Sequence, residues 1–298
     1  MNILISGASG LIGSALVFYL RAQNHRILTL TRNKTHPDDI FWSPSQGMLA
    51  LPRSSKIDAV INLAGENIAE GRWNKLKKKR IRSSRIDGTA LISRTIAALD
   101  EPPQVLLSAS GIGFYGNRGE QLLIEDDAPG QGFLVDVSRE WEATTSPAEE
   151  AGIRVACLRI GVVLSPQGGI LKRMLPYFKA GIGASLGTGR QYMSWIVIDD
   201  LVEAVAFLLN HDALRGPVNV CSPNPATNWE FTKILAEVLG RPAFFRIPAP
   251  VLKVLFGELS GELLSSTRAI PNCLLSAGFE FRYPKLAAGL HHLLDDSD

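Results

Sequence analysis

The sequence predicts an α/β protein built on a doubly wound parallel sheet with a smaller C-terminal substrate lobe. Three observations predict it. Short β-branched or leucine-rich runs alternate with longer helical patterns, as βαβ units require. The first apolar run passes directly into a glycine turn that opens a helix. The alternation then fades after about residue 165, where glycines crowd together.

The runs read as strands are 2–6, 26–31, 59–63, 105–108 and 155–160, each short and apolar enough to be covered on both faces. Between the first two, Leu11, Ala15, Phe18 and Tyr19 recur at helical spacing, and Gln23-Asn24-His25 ends the helix. One βαβ unit therefore fills residues 1–32. A long helix is drawn from about Lys75 to Leu99, where Ile81, Gly88, Leu91, Ile92, Thr95, Ile96 and Leu99 fall on one stripe; Pro102-Pro103 stops it. Beyond 165, Gly168-Gly169, Gly181, Gly183, Gly187 and Gly189 mark loops around a short helix at 170–178. A proline-bearing run at 244–250 introduces a last piece, which ends in a helix at 285–294. The expected division is a nucleotide-binding sheet in 1–165, completed by parts of 191–222, a substrate lobe in 166–247, and a small C-terminal domain of unassigned role in 248–298.

Composition sets the outer bounds. With 298 residues, 46% of them apolar, the chain can bury a large core, which excludes wholesale disorder. Lys and Arg number 31 against 29 Asp and Glu, a net charge of +2, so no global field argues for a nucleic-acid partner. Cys157, Cys221 and Cys273 are far apart and form no C-x-x-C pair, which fits free thiols in a reducing cytoplasm. No basic leader precedes Gly7 and no apolar run reaches about 18 residues, so neither a signal peptide nor a membrane span is expected.

The chemistry concentrates in Gly7-Ala8-Ser9-Gly10-Leu11-Ile12-Gly13. Gly7 and Gly10 permit a tight turn and close backbone approach to a pyrophosphate, Gly13 lets helix and strand pack closely, and the helix N-terminus attracts negative charge. The second strand ends Thr31-Arg32 where an NAD site would carry a carboxylate. A carboxylate there would repel a 2′-phosphate, whereas Arg32 can pair with one, so NADP is the expected cofactor. The bland alternative for Arg32 is a solvated surface arginine.

With these residues in place, the chain resembles the extended short-chain dehydrogenase/reductase superfamily, the group that includes nucleotide-sugar epimerases, and within it an atypical branch labelled epimerase family protein. The supporting motifs are 7–13, Asn62-Leu63-Ala64-Gly65-Glu66-Asn67, Ser84-Arg85-Ile86-Asp87-Gly88-Thr89, Ser108-Ala109-Ser110 with Phe114-Tyr115-Gly116, Trp141-Glu142, 159–164 and 195–201. The tail from about Pro248 resembles a small domain particular to this branch. The resemblance implies an extended Rossmann sheet with a C-terminal substrate lobe, and it lays Leu63, Ala64 and Val162 along the cofactor. Arg85 replaces an asparagine of ordinary members and falls on the inner stripe of its helix. A buried arginine needs an anionic partner, either a cofactor phosphate or a structural Asp or Glu. The run Lys75 to Arg85 is strongly basic and is expected to be mostly a solvated face, with Arg80 as a second candidate phosphate contact.

Ordinary members pair a Tyr with a Lys four residues later, the Lys lowering the tyrosine pKa for proton exchange during hydride transfer. Here the residues four beyond Tyr19, Tyr115, Tyr177, Tyr192 and Tyr283 are Gln23, Gly119, Gly181, Ile196 and Ala287. Aligning Glu142 with the family glutamate puts Leu134 and Ser138 at the Tyr and Lys positions. What remains for catalysis is Ser110 and Tyr115 just beyond the strand at 105–108. Asp199-Asp200 are read as caps of a helix start, and no metal site is expected. The leading expectation is an NADP(H)-dependent oxidoreductase or epimerase-like enzyme on a small polar substrate. The rival is a non-catalytic NADP(H)-binding protein that reports redox state. Neither nucleic acid nor membrane is an expected partner, and oligomeric state is not read from the sequence.

Overall fold

Apolar side chains alternate along the strands, and that period of two builds a core on each side of the sheet. On β1 (Asn2–Ser6), Ile3 and Ile5 enter one cluster and Leu4 the other. The computed structural model describes residues 1–295; the last three positions of the 248–298 segment lie outside the described residues. The further strands of the main sheet are β2 (Arg26–Thr31), β3 (Asp39–Ser43), β4 (Met48–Leu49), β5 (Ala59–Asn62), β6 (Val105–Gly111), β7 (Arg154–Ile160) and β8 (Gly216–Val220). Among the described residues they stand in the order β8-β7-β6-β5-β1-β2-β3-β4, parallel throughout except for the β3–β4 hairpin. The chain moves outward from β1 to β4 and then returns to β5 on β1's other side. The strand order thus reverses between β1 and β5, where ligands sit beyond the strand ends in such sheets.

The helices that bear on this sheet are α1 (Leu11–Ala22), α2 (Lys75–Ala97), α3 (Phe133–Ala143), α4 (Gly169–Lys179) and α5 (Ile198–Leu209). Leu16 and Leu20 of α1 and Leu201, Val205 and Leu208 of α5 cover one face, against Ile5, Ile61, Leu107, Leu158 and Val218. Leu91, Ile92 and Ile96 of α2 cover the other, against Leu4, Val60, Leu106 and Val155. Each fully buried aliphatic side chain here contributes about 1.5–3 kcal/mol relative to exposure.

Two features depart from the expected elements. Strand β6 runs on to Gly111 because Ser108 and Ser110, which read as a polar strand end, are buried with hydrogen-bond partners. The β3–β4 hairpin was not anticipated. Parallel pairing of β2 with β3 ordinarily needs a long crossover, but β3 begins opposite Thr29, two residues below the end of β2, so a short loop suffices. Asp39 pins that loop, accepting from the Thr29 hydroxyl, Thr35 N at 2.7 Å and His36 N at 2.8 Å; the Thr29 hydrogen bond, followed by those amides, holds its carboxyl well below the usual range.

The C-terminal half packs α4, α6 (Asn228–Val238) and α8 (Leu286–Asp295) around Leu171, Phe178, Trp195, Phe231, Leu235 and Leu290, with α7 (Ala249–Phe256) between α6 and α8 in the chain. A capping box between Thr227 and Glu230 starts α6. Asp199 and Asp200 do not cap their helix by a side-chain hydrogen bond. Asp200 is buried and accepts from Arg282 N at 2.9 Å and Tyr283 N at 3.1 Å, and Asp199 lies 3.3 Å from His292 Nε2. The pair fastens the tail segment to α5. No helix among the described residues is long and apolar enough to cross a membrane.

Candidate functional site

Gly7 holds φ +70°, a conformation that L side chains rarely adopt, and a Cβ there would stand 2.8 Å from the Leu63 carbonyl carbon. A Cβ on Gly13 would stand 2.1 Å from Gly7 O. Both glycines are therefore required by close approach of backbone to backbone. Gly10, before α1, carries no side-chain cap, so the first amides of the helix stay open at the strand ends. Ser6 Oγ donates to Asn62 Oδ1 at 2.6 Å and accepts from Leu63 N at 3.1 Å and Ala64 N at 3.2 Å, which fixes the loop leaving β5 beside the glycine turn.

Two cavities meet at Gly7, Gly10 and Leu63. The larger, about 730 Å³, extends over β2 and is lined by Ser9, Thr31, Arg32, Ala64, Arg80 and the face of Trp42–Pro44, among others. The Arg32 side chain is exposed and makes no ion pair or hydrogen bond to the described residues. Arg80 is 3.4 Å from Glu66, which also takes Lys77 at 2.8 Å; the Lys77 hydrogen bond chiefly holds the Glu66 carboxyl below its usual range. Trp42 and Pro44 were missed because they belong to the unanticipated hairpin.

The second cavity, about 530 Å³, extends over β6 and α3. Leu11, Ile12, Gly13, Val162, Arg85 and Ser110 line it, and so do Leu134 and Ser138. The two positions aligned with the family Tyr and Lys thus do face the cavity, one turn apart on α3, as an aliphatic side chain and a hydroxyl. The Ser138 hydroxyl makes no hydrogen bond to the described residues. Ile68, Ile112 and Ile170 complete a wall that is largely apolar.

Tyr115 is a correction. It lines neither cavity, is fully buried, and its hydroxyl lies 2.8 Å from Asn219 Oδ1 and 3.0 Å from the Ile124 carbonyl while accepting from Arg159 Nη1 at 3.0 Å. Burial pushes its pKa up to about 12, against the pull of Arg159, so it is a structural residue and no proton donor to the cavity. A 3-10 turn at Ile112–Tyr115 carries the side chain under the strand end, a direction that sequence spacing does not reveal.

Four of the seven cations of the basic run, Lys75, Lys79, Arg80 and Arg82, are exposed, as expected of a mostly solvated face. Lys77 is buried on Glu66, Lys78 pairs with Glu258 at 2.6 Å, and Arg82 pairs with Glu140. Arg85 makes no ion pair among the described residues, although the charge of Glu66 acts on it. Its Nη1 donates to the carbonyls of Glu66 at 3.0 Å and Ile81 at 3.1 Å, its guanidinium lies over the Trp141 ring, and burial lowers its pKa to about 10. No described residue takes its Nε and Nη2 protons. The site therefore combines an open helix N-terminus, two arginines with donors to spare and an apolar end.

A family model described as the NAD-dependent epimerase/dehydratase family matches residues 3–221, and a domain of unknown function matches residues 247–293. The chain is 42% identical over 290 residues to an epimerase family protein of Mycobacterium bovis, spanning 97% of this chain and 96% of that one. It is 34% identical to the epimerase family protein YfhF of Bacillus subtilis, spanning 99% of both. Among solved structures, it is similar to the human epimerase family protein SDR39U1 with NADPH at a TM-score of 0.92 and 32% identity, covering 99% of this chain and 100% of that chain.

Proposed function

The chain belongs to the NAD-dependent epimerase/dehydratase family, and from that premise we propose that it is an NADP(H)-binding atypical short-chain dehydrogenase/reductase, working as an oxidoreductase or epimerase-like enzyme on a small substrate. The observation that carries the reading is the unpaired Arg32 at the end of β2, in one cavity with the glycine turn. Its guanidinium matches a 2′-phosphate, for which a carboxylate at this place would be repulsive. Ser9, Gly10 and the first amides of α1 would hold the pyrophosphate, Thr31, Ala64 and Arg80 would flank the adenosine end, and Arg85 would add a second phosphate contact. Leu11, Ile12, Leu63 and Val162 would wall the nicotinamide end. When bound, the reduced dinucleotide supplies a hydride. The human relative whose structure holds NADPH supports the same cofactor. The free Cys157, Cys221 and Cys273 fit a cytoplasmic location.

Equilibrium titration tests this reading: NADPH should bind about tenfold or more tighter than NADH, and equal affinities would overturn it. A second reading, a non-catalytic NADP(H)-binding redox reporter, is favoured by Leu134 and Ser138 standing where a proton relay is expected. It requires tight cofactor binding with no turnover of any electrophile.

A further inference from the structure

The second cavity carries one charge, and it is positive. Arg85 is the only charged side chain among its described lining residues, with no carboxylate beside it in that lining. Both Nη1 protons are taken, by the carbonyls of Glu66 and Ile81, and the guanidinium lies over the Trp141 ring, 5.1 Å from its centroid, so the plane of the group is held. Nε and Nη2 stay free, and they form the side-on fork that meets both oxygens of a carboxylate. Among the described residues, the enclosed side-chain nitrogens and oxygens without a partner are Ser93 Oγ, Glu125 Oε2 and Arg268 Nε alone. Neither free Arg85 nitrogen, nor the Ser138 hydroxyl with no partner of its own, is therefore sealed within the protein. Ser138 lies one turn before Trp141 on α3, and both line the cavity. Asn67, next in the chain to the Glu66 carbonyl that holds Arg85, spends its Oδ1 on Ala69 N at 2.9 Å and keeps Nδ2 free. This end of the cavity thus gathers a fixed cation and neutral donors, while Ile68, Ile112, Leu134 and Ile170 make the wall beside them apolar.

Resting on the cofactor reading above, we propose that Arg85 anchors the substrate and that the substrate is a small monocarboxylate with an apolar body. The Nε–Nη2 edge pairs with both carboxylate oxygens, Ser138 Oγ and Asn67 Nδ2 donate to the same group, and the aliphatic wall takes the rest of the molecule. The phosphate contact given to Arg85 needs one proton. The second Nη2 proton, on the end shared with Nη1, is left for it. A neutral ligand would leave a partly buried cation with its donors unspent, and a cationic one would meet like charge. A sugar would set its hydroxyls against aliphatic side chains.

Calorimetric titration of the NADP⁺-saturated protein tests this with three ligands of similar shape: cyclohexanecarboxylate, cyclohexanecarboxamide and cyclohexylmethylammonium. The carboxylate should bind about tenfold or more tighter than the carboxamide, the worth of a charge-assisted pair, and the ammonium should bind weakest. Arg85→Gln, with cofactor still at saturation, should bring the carboxylate down to the carboxamide, and Arg85→Lys, which keeps the charge without the fork, should restore only part of the gap. Ser138→Ala removes no hydrogen bond within the described protein, and it keeps the test decidable where the Arg85 variants fail to fold. It should weaken the carboxylate about fivefold and the carboxamide by less. Equal affinities in the parent, a carboxylate preference that survives Arg85→Gln, or unchanged carboxylate binding in Ser138→Ala overturns the proposal. So does a preference present without cofactor that vanishes on NADP⁺ saturation, because Arg85 is then spent on the cofactor phosphate. NADPH titration of the same protein keeps the two failures apart. Without NADPH binding the cofactor reading falls and takes this proposal with it, whereas NADPH binding with a flat ligand series removes the proposal alone.

Discussion

Arg32 and Arg80 line the same cavity, yet only Arg80 has a carboxylate partner, Glu66 at 3.4 Å. A guanidinium already beside a carboxylate gains less from a phosphate than one with no protein partner, because part of its charge is already matched. Arg32→Ala should therefore weaken NADPH binding about 10- to 100-fold while leaving NADH binding near its starting value. Arg80→Ala should cost NADPH less than Arg32→Ala does. Fluorescence titration of both cofactors against both variants checks the ranking, and an Arg32→Ala protein that keeps its NADPH preference would remove the 2′-phosphate from this arginine.

The glycine turn makes a second, sharper demand. A Cβ on Gly13 would lie 2.1 Å from Gly7 O, a backbone atom that has no room to yield, because a Cβ on Gly7 itself would already press the Leu63 carbonyl. Gly13→Ala should destabilise the chain by roughly 3 kcal/mol through forced separation of β1 and α1. Cofactor affinity should fall with it, since the α1 amides move with the helix. Gly71→Ala offers a comparison: unlike Gly13 it sits at positive φ, +72°, but a Cβ there meets nothing within 4 Å. Thermal melts should show the Gly13 variant losing far more than the Gly71 variant.

These two positions show what was legible in the sequence and why. The turn, the parallel sheet and the arginine at the end of β2 were readable because each rests on local chemistry: glycine spacing, apolar period and the residue that ends a strand. The hairpin carrying Trp42 was not, because Asp39 and Pro44 interrupt an otherwise ordinary strand pattern, and the compensating hydrogen bonds from Thr29, Thr35 and His36 appear only after folding. The same holds in part for the basic helix. Most of its cations are solvated as expected, but Lys77 is buried on Glu66, which comes from a separate segment. Tyr115 misled for a related reason: position at a strand end is local, whereas the direction of its ring is set by Asn219 and Arg159, far away in the chain.

Tyr115 should accordingly report on stability and not on turnover. Its folded-state pKa of about 12 lies above the ordinary tyrosine value of 10.0. The stabilisation tied to the neutral phenol is complete below the unfolded pKa and is lost as pH rises from about 10 through about 12, a loss of roughly 3 kcal/mol for a shift of this size. Tyr115→Phe should lose about 1–3 kcal/mol at neutral pH, by leaving Asn219 Oδ1 without its donor, and should no longer show that alkaline fall. Denaturant melts at neutral and alkaline pH check both statements. Cofactor affinity unchanged in the folded variant is the matching expectation, and a specific loss of NADPH binding would return Tyr115 to the site.

Asp200 tests how firmly the tail is joined to the nucleotide-binding sheet. Its carboxylate is buried at the start of α5 and accepts the main-chain amides of Arg282 and Tyr283, inside the segment that matches the domain of unknown function. Burial raises its pKa, while the Tyr283 and Arg282 amides pull it back down. Asp200→Ala leaves two amides without an acceptor and should destabilise the protein by about 2–4 kcal/mol. Asp200→Asn keeps one carbonyl for those amides and removes a buried charge, so it should cost about 1 kcal/mol at neutral pH. Because the folded pKa is raised, ionising Asp200 costs stability: the contribution is complete below the unfolded pKa and is lost as pH rises through the folded one. Asp200→Asn should therefore close part of its gap to the parent between acid and neutral pH. Hydrogen exchange at Arg282 and Tyr283 gives the local readout. Faster exchange there in Asp200→Ala, with β1 and β5 still protected, would show the tail opening from α5 as a unit. Exchange that rises equally across the sheet would mean that the two parts unfold together.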